Sequence, residues 1–369
     1  MNFSSKFQLN ILNILIICLI LFGYQTNFKQ TYGEIICKGP TFTYKDRYEW
    51  PILFPGCSGD RQSPINIDSR LANCAPFSLV LTNYLLAYNL IARNNGDLAQ
   101  LTINDDDDDT IGSAANNLPY IQTSYTGDTR YQLNNIQFHW GQNDDQGSEH
   151  CIDDKFAAAE IIFVHNNQNY DNFDDALTHR DGLLVVSTML DLQDNDNLDL
   201  QPFIDVLPYI VEFNTTAPID SAHTVPFYLG RLMPQDKQSM YLYEGCISHP
   251  PCHQAATWFI FSKRIGISRE QLSKFRQLKW EPIGDQQSTR ILDNRRPLQP
   301  INGRTVYRSD AYGCKNFVDS NTIPLKKHYT YHQSQPCNNW YKCGQLCCQP
   351  GYYCQSDLNG SQFDCISSC

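Results

Sequence analysis

The chain has 369 residues and a formal net charge of −11 at pH 7, and 15 of its residues are cysteine. The negative charge argues against nucleic acid or an anionic membrane surface as a partner, because phosphate groups would be repelled. The high cysteine content indicates a protein of the oxidising secretory pathway and argues against a location in the reducing cytosol.

The N-terminus has the pattern of a secretory signal peptide. Residues 11–22 are nearly all apolar, Lys6 precedes them, and no acidic side chain interrupts them. The run is about half the length that crosses a bilayer as a helix. We predict a signal peptide over residues 1–24, with an uncleaved anchor as the alternative. After cleavage no transmembrane span would remain, and the protein would be secreted or would stay in the lumen of the secretory pathway.

Two sequons fit the same route. They begin at Asn214 and Asn359, and both asparagines are predicted glycosylation sites.

Short β-rich runs recur between about Tyr44 and Tyr307, with turn residues between them. The clearest runs are residues 77–81, 100–103, 135–140, 160–164, 182–190 and 257–262. One helical pattern starts at Ser268, a plausible N-cap, and has Glu270 in its first turn. These patterns predict a mostly β domain with a large, mainly antiparallel sheet and peripheral short helices.

Residues 311–369 have a different composition. Seven cysteines lie close together, at Cys337, Cys343, Cys347, Cys348, Cys354, Cys365 and Cys369. A segment this short cannot bury a core large enough to fold alone and would depend on disulfides. We predict a small disulfide-rich C-terminal module, whose aromatic residues either bind a glycan or pack the module itself.

Six short segments of the predicted β domain carry a more specific signal. They are Gln62-Ser63-Pro64-Ile65-Asn66-Ile67, Asn135-Ile136-Gln137-Phe138-His139-Trp140-Gly141, Gly147-Ser148-Glu149-His150, Ala158-Ala159-Glu160-Ile161-Ile162-Phe163-Val164-His165, Pro250-Pro251-Cys252 and Asn294-Arg295-Arg296-Pro297-Leu298-Gln299-Pro300. In order and spacing they resemble the α-class carbonic anhydrases. The resemblance implies a domain of that kind over residues 38–310, built on a twisted sheet of about ten strands.

The same resemblance predicts an incomplete metal site. In the family three histidines hold a zinc ion, and the water on its open position ionises and attacks carbon dioxide. His139 matches the second ligand, but Gln137 and Ile162 stand at the first and third. His165 cannot substitute, because it is three residues from Ile162 on an extended strand and so faces the other side. No cofactor is therefore expected, unless an unorthodox site still holds zinc.

Residues around the metal position are less altered. Glu149 matches a buried carboxylate that orients a gatekeeper hydroxyl, and Ser248 supplies that hydroxyl. Asp97 stands where fast members carry a proton-shuttling histidine, and the reference pKa of an aspartate is too low for that task. The resemblance also assigns supporting positions behind the ligands to His150, Glu160 and Tyr243.

The wall of the family's pocket is apolar. Its matching residues are Val164, Val185, Ile247 and Trp258, which either line a small-ligand pocket or are core residues of an inherited fold. Cys57 and Cys252 match the pair that is bridged in secreted members of the family.

Three functions remain open on the sequence. The first is a secreted relative of carbonic anhydrase that lacks hydration activity and serves as a binding or structural module for a protein or glycan outside the cell. The second is an active zinc carbonate dehydratase with an unorthodox site. The third is a glycan-binding protein that acts through the cysteine-rich tail.

Overall fold

The computed structural model describes residues 42–104, 117–219, 226–280 and 289–309 with their side chains, and only the backbone of short strands elsewhere. The predicted signal peptide and Asn359 lie outside the described residues. Of the predicted C-terminal module, only strand backbones are described.

The secondary structure is mostly β. In chain order the strands are β1 (Phe28–Gln30), β2 (Gly33–Ile35), β3 (Asn66–Ile67), β4 (Asn73–Cys74), β5 (Leu79–Thr82), β6 (Leu90–Asn94), β7 (Ala99–Ile103), β8 (Tyr120–Thr123), β9 (Gly127–Trp140), β10 (Cys151–Ile152), β11 (Ala159–Asn167), β12 (Leu183–Gln193), β13 (Thr216–Ile219), β14 (Met240–Gly245), β15 (Ala256–Phe261), β16 (Ile265–Ser268), β17 (Tyr307–Ser309), β18 (Lys342–Cys343), β19 (Leu346–Cys347), β20 (Tyr352–Ser356) and β21 (Phe363–Ser367). The α-helices are short: α1 (Trp50–Leu53), α2 (Phe173–Leu177), α3 (Gln201–Val206) and α4 (Arg269–Phe275). Single 3₁₀ turns occur at Tyr44–Asp46, Pro55–Ser58, Leu207–Ile210 and Leu229–Leu232.

One large sheet dominates the fold. Its strands follow the order β13-β6-β7-β9-β11-β12-β15-β14-β17-β4. In addition, β8 pairs with β5 and β9, and β16 pairs with β12. Most neighbouring strands are antiparallel, whereas β12 is parallel to both β15 and β16, and β17 is parallel to β4. The sequence predicted a mostly β domain with one sheet of about ten strands and short peripheral helices. The structure confirms this architecture, with ten strands along the main path of the sheet.

The centre of the sheet is buried on both faces. Strand β11 is buried along nearly its whole length, and its side chains alternate between two apolar clusters. Ile161 and Phe163 belong to one cluster with Phe138, while Ile162 and Val164 belong to the other. This alternation decides which side chains of β9 and β11 can meet.

Helix α4 begins where the sequence predicts. The Ser268 hydroxyl accepts a hydrogen bond from the Gln271 N–H, and the Gln271 side chain accepts one from the Ser268 N–H, which forms a capping box. Leu272 and Phe275 are buried, and the helix ends at Phe275.

The chain divides into two compact units, residues 1–41 with 329–369 and residues 42–328. In the first unit β1 pairs with β2, β18 with β19 and β20 with β21, all antiparallel. No helix in the described part of the chain is long and apolar enough to cross a membrane.

A disulfide joins Cys57 to Cys252, which are 195 residues apart in sequence and have Cα atoms 4.9 Å apart. This is the bridge expected from the resemblance. Cys74 is also disulfide-bonded.

Among the residues described with side chains, Cys151 and Cys246 are free and buried. The Cys151 thiol donates a hydrogen bond to Asn66 Oδ1 at 3.0 Å, and the Ser63 N–H donates one to Cys246 Sγ at 3.2 Å. Burial raises the pKa of both thiols, that of Cys151 to about 11.

We expect neither thiol to react in the native protein, because the thiolate is the reactive form and both groups are buried as thiols. A maleimide at pH 7 should leave both unlabelled in the folded protein and label both in denaturant, as peptide mapping would show. Rapid labelling of either residue in the native state would contradict this assignment.

Candidate functional site

The three positions matched to zinc ligands meet on one face of the sheet. Gln137 and His139 lie two residues apart on β9, so they point to the same side. Gln137 is directly paired with Ile162 of β11, and His139 is paired with Glu160. All of these side chains are buried.

The remaining imidazole is neutral and held in one tautomer. His139 Nδ1 donates to the main-chain oxygen of Asn294 at 2.9 Å, so Nε2 carries the free lone pair. Nε2 is buried and has no hydrogen-bond partner in the structure. Burial lowers the pKa of His139 to about 4. One nitrogen is thus ready to accept a donor or a metal.

The other two positions do not fit a zinc ion. The amide of Gln137 is a far weaker ligand than imidazole, and Ile162 has no donor atom. Within the described ranges, no three His, Cys, Asp or Glu side chains are grouped so that they could hold a metal ion. A zinc site needs three basic protein ligands, and this one supplies a single imidazole.

Ile162 is part of an apolar cluster that continues through the predicted pocket wall. Val164 and Val185 pair across β11 and β12, and Val185 pairs with Trp258 of β15. These three side chains and Ile247 are all buried in the cluster that contains Ile162. The Ile162 side chain therefore packs in apolar surroundings.

Glu160 is held by three donors. His150 donates to it twice, from Nδ1 to Oε1 and from the main-chain N–H to Oε2, each at 2.8 Å. The Ser187 hydroxyl donates to Oε1 at 2.6 Å. Burial opposes ionisation of Glu160, but His150 and Ser187 outweigh it, so the pKa of this carboxyl lies below its usual value.

A second line of hydrogen bonds extends from His150. Its Nε2 lies 2.7 Å from the Tyr243 hydroxyl, which donates to Ser63 Oγ at 2.7 Å. Ser63 Oγ also accepts the Cys246 N–H at 3.1 Å. The three residues assigned to supporting positions, His150, Glu160 and Tyr243, therefore form one buried polar network, and Ser63 extends it.

Glu149 lies on the other side of His139. Its Oε1 accepts the Arg296 N–H at 3.1 Å and lies 3.6 Å from His139 Nδ1. Burial, with a contribution from Glu160, raises the pKa of Glu149 to about 7, and hydrogen bonding from Ser248 and Arg296 partly offsets the rise. Ser248 is therefore near enough to Glu149 to lower its pKa.

Aromatic residues from the start of the described chain lie against this site. The Tyr44 ring meets the His139 ring edge to face, with centroids 6.2 Å apart. The Tyr44 hydroxyl is buried and has no hydrogen-bond partner among the described residues. Phe42 stacks on His249, which directly follows Ser248.

Asp97 and His165 are placed differently. Asn294, whose main-chain oxygen accepts from His139, also donates to the main-chain oxygen of Asp97 at 3.2 Å, whereas His165 faces away from the ligand positions. Asp97 is partly exposed in a turn before β7, where its N–H bonds to Asn95 Oδ1. His165 Nδ1 donates to the Leu184 oxygen at 3.0 Å, and its Nε2 contacts the Tyr84 hydroxyl. Tyr84 belongs to the cluster on the face opposite Ile162, so His165 does face away from the site.

The sequence interpretation missed Ser187 and gave no role to Tyr44 or Asn294. Ser187 offers a usable signal, because it is a polar residue inside the otherwise apolar run of β12. Asn214 is exposed and lies two residues before β13, where its side-chain oxygen accepts a hydrogen bond from Arg93 at 2.5 Å.

Comparison with known proteins decides the family. The sequence model described as eukaryotic-type carbonic anhydrase matches residues 45–310. The chain belongs to the eukaryotic-type carbonic anhydrase family. It is similar to mouse carbonic anhydrase 7, with 35% identity over 262 residues that cover 70% of this chain and 92% of the relative. Human carbonic anhydrase 7 is 34% identical over the same shares of both chains. Human mitochondrial carbonic anhydrase 5B is 34% identical over 74% of this chain and 83% of its own.

Membership of the carbonic anhydrase family explains the arrangement of the buried network. Glu149 and Glu160 lie where they could orient imidazoles on this face of the sheet. Two of the three positions matched to ligands, however, hold Gln137 and Ile162. The sheet of the carbonic anhydrase family is therefore present, and Gln137, His139 and Ile162 lie together on one buried face of it.

Proposed function

We propose that this chain is a secreted member of the carbonic anhydrase family without carbon dioxide hydration activity, which acts as a binding or structural module. One observation carries the proposal. Gln137 and Ile162, at two of the three expected ligand positions, are directly paired across the strands, and His139 beside them is the only expected ligand that is a histidine. Zinc lowers the pKa of its bound water toward neutrality and so supplies the attacking hydroxide. Without two of its ligands, the site has no group that could generate this nucleophile.

The polar residues that remain do not replace the metal. His139 is a neutral acceptor, and Glu149 and Ser248 can orient a hydroxyl but cannot ionise a water to hydroxide at pH 7. The large sheet, buried on both faces at its centre, and the buried polar network remain available as a folded scaffold, which suits a role in binding a protein or glycan outside the cell. The apolar run at residues 11–22 and the cysteine content support secretion.

Metal analysis combined with hydration kinetics tests the proposal. Protein purified from medium without chelator should carry well under one zinc per chain and show hydration no faster than buffer. An active carbonic anhydrase purified in parallel serves as the control for metal loss during handling. Stoichiometric zinc together with sulfonamide-sensitive hydration would refute the proposal and favour the active enzyme with an unorthodox site.

The glycan-binding alternative remains a prediction about residues whose side chains lie outside the described part. Deleting the residues after Val318 and measuring polysaccharide binding would separate a role of the tail from a role of the carbonic-anhydrase-like domain.

A further inference from the structure

Ser187 lies directly opposite Ile162. The two residues are cross-strand partners on β12 and β11, so their side chains share a face of the sheet. Ser187 is fully buried, and its hydroxyl donates to Glu160 Oε1 at 2.6 Å. A hydrogen bond this short to a carboxylate is of the stronger, charge-assisted kind.

Glu160 has few acceptor sites left. A carboxylate offers about four lone-pair positions. Two donors, His150 Nδ1 and the Ser187 hydroxyl, occupy Oε1, and the His150 N–H occupies one position of Oε2. A histidine at position 162 would point to the same face as Glu160 and would need this carboxylate to fix its tautomer as a metal ligand.

We propose that Ser187 is a specificity-determining residue that has replaced a ligand imidazole as the donor to Glu160 and thereby opposes zinc binding at this site. Positions 162 and 187 are then coupled. When residue 162 is isoleucine, Glu160 requires the serine hydroxyl as a hydrogen-bond donor. When residue 162 is histidine, its imidazole competes with that hydroxyl for Glu160. The inference rests on the proposed function, because it takes the native site to be one that does not hold zinc.

The coupling follows from the cost of a buried carboxylate without donors. With isoleucine at position 162, removing the Ser187 hydroxyl leaves Glu160 with hydrogen bonds from His150 alone, and a buried charge that loses a donor is destabilised. With histidine at position 162, the imidazole supplies the missing donor. The serine hydroxyl then becomes dispensable, and it competes with the imidazole for Glu160, on which three of about four acceptor positions are already filled.

A metal-free stability cycle tests this directly. Ser187→Ala should lower the Tm of the native protein by roughly 2–8 °C, and should lower it much less in a chain that carries Ile162→His. Thr188→Val is the matched control, because the Thr188 hydroxyl is buried on the opposite face and has no hydrogen-bond partner. Equal losses from Ser187→Ala in both backgrounds would overturn the proposal.

Zinc affinity provides the second measurement. In a chain carrying Gln137→His and Ile162→His, the further change Ser187→Ala should tighten zinc binding by about tenfold or more, the size of effect that residues behind a metal ligand commonly have. Thr188→Val should leave the affinity unchanged. If Ser187→Ala leaves it unchanged or weakens it, Ser187 does not compete with the imidazole.

The two hypotheses fail in different ways. Stoichiometric zinc in the native protein would refute the proposed function, whatever position 187 does. A zinc-free native protein with additive effects at positions 162 and 187 would refute only the role of Ser187. If an alanine variant fails to fold, Ser187→Cys keeps the side-chain size with only a weak donor and should give the same direction of change in both measurements.

Discussion

Histidine at both Gln137 and Ile162 should give this protein a zinc site. The pairing of β9 with β11 places these positions directly opposite each other and beside His139, so three imidazoles would converge on one face. Glu160 and the main-chain oxygen of Asn294 are already placed to orient two of them. We therefore expect zinc uptake near one ion per chain and slow but measurable hydration, with the rate limited by Asp97 in place of a shuttling histidine.

The cost of the double change should be visible before metal is added. Ile162→His inserts a polar ring into the apolar cluster with Val164 and Trp258, so the metal-free variant should unfold at a lower temperature than the native protein. Zinc at about 100 times its Kd should then restore about 2.7 kcal/mol of stability. Calorimetry with and without zinc measures both effects.

Two controls define the result. Ile162→His alone provides two imidazoles and should bind zinc weakly at best, and His139→Ala in the double variant should abolish tight binding. If the double variant folds and takes up no zinc even with Ser187→Ala, the supporting residues do not orient the ligands as their hydrogen bonds indicate.

The resemblance to the carbonic anhydrases supplied the candidate ligand positions, and strand periodicity then predicted which side chains share a face. Side chains alternate across a strand, so the spacing of Gln137 and His139 fixed their common face, and the spacing of Ile162 and His165 excluded the second histidine. The structure agrees at each of these positions. A β-bulge between Val164 and His165 shifts the register without returning His165 to the ligand face.

The sequence could not reveal which residues meet between distant segments. The donation from Ser187 to Glu160 depends on the register between β11 and β12, which no local pattern encodes. The contact of Tyr44 with His139 joins segments about 95 residues apart, and it arises from packing of the whole domain. For the same reason, the sequence left the state of Cys151 and Cys246 open.

Removing the Cys57–Cys252 bridge should cause the largest loss of stability among the changes considered. The bridge closes a loop of 195 residues, and the chain-entropy model gives about 3–5 kcal/mol for a loop of this size. Both cysteines are buried, and the main-chain oxygen of Cys57 accepts a hydrogen bond from buried Arg296. Opening the bridge would therefore also loosen the segment that holds Arg296, whose N–H bonds to Glu149.

The cleanest test is Cys57→Ser combined with Cys252→Ser. Each single variant would leave one unpaired thiol, which can form a wrong disulfide. We expect a lower midpoint of urea unfolding and less secreted protein, with the native linkage recovered from the parent by peptide mapping under non-reducing conditions.

Cys151→Ser is the matched control, since that thiol is buried and unbridged, and its loss should cost far less stability. Two free thiols in secreted parent protein, or equal losses in the double variant and the control, would show that the bridge does not stabilise the domain. A large difference would instead show that the covalent link itself stabilises the domain, beyond the packing of two buried cysteine side chains.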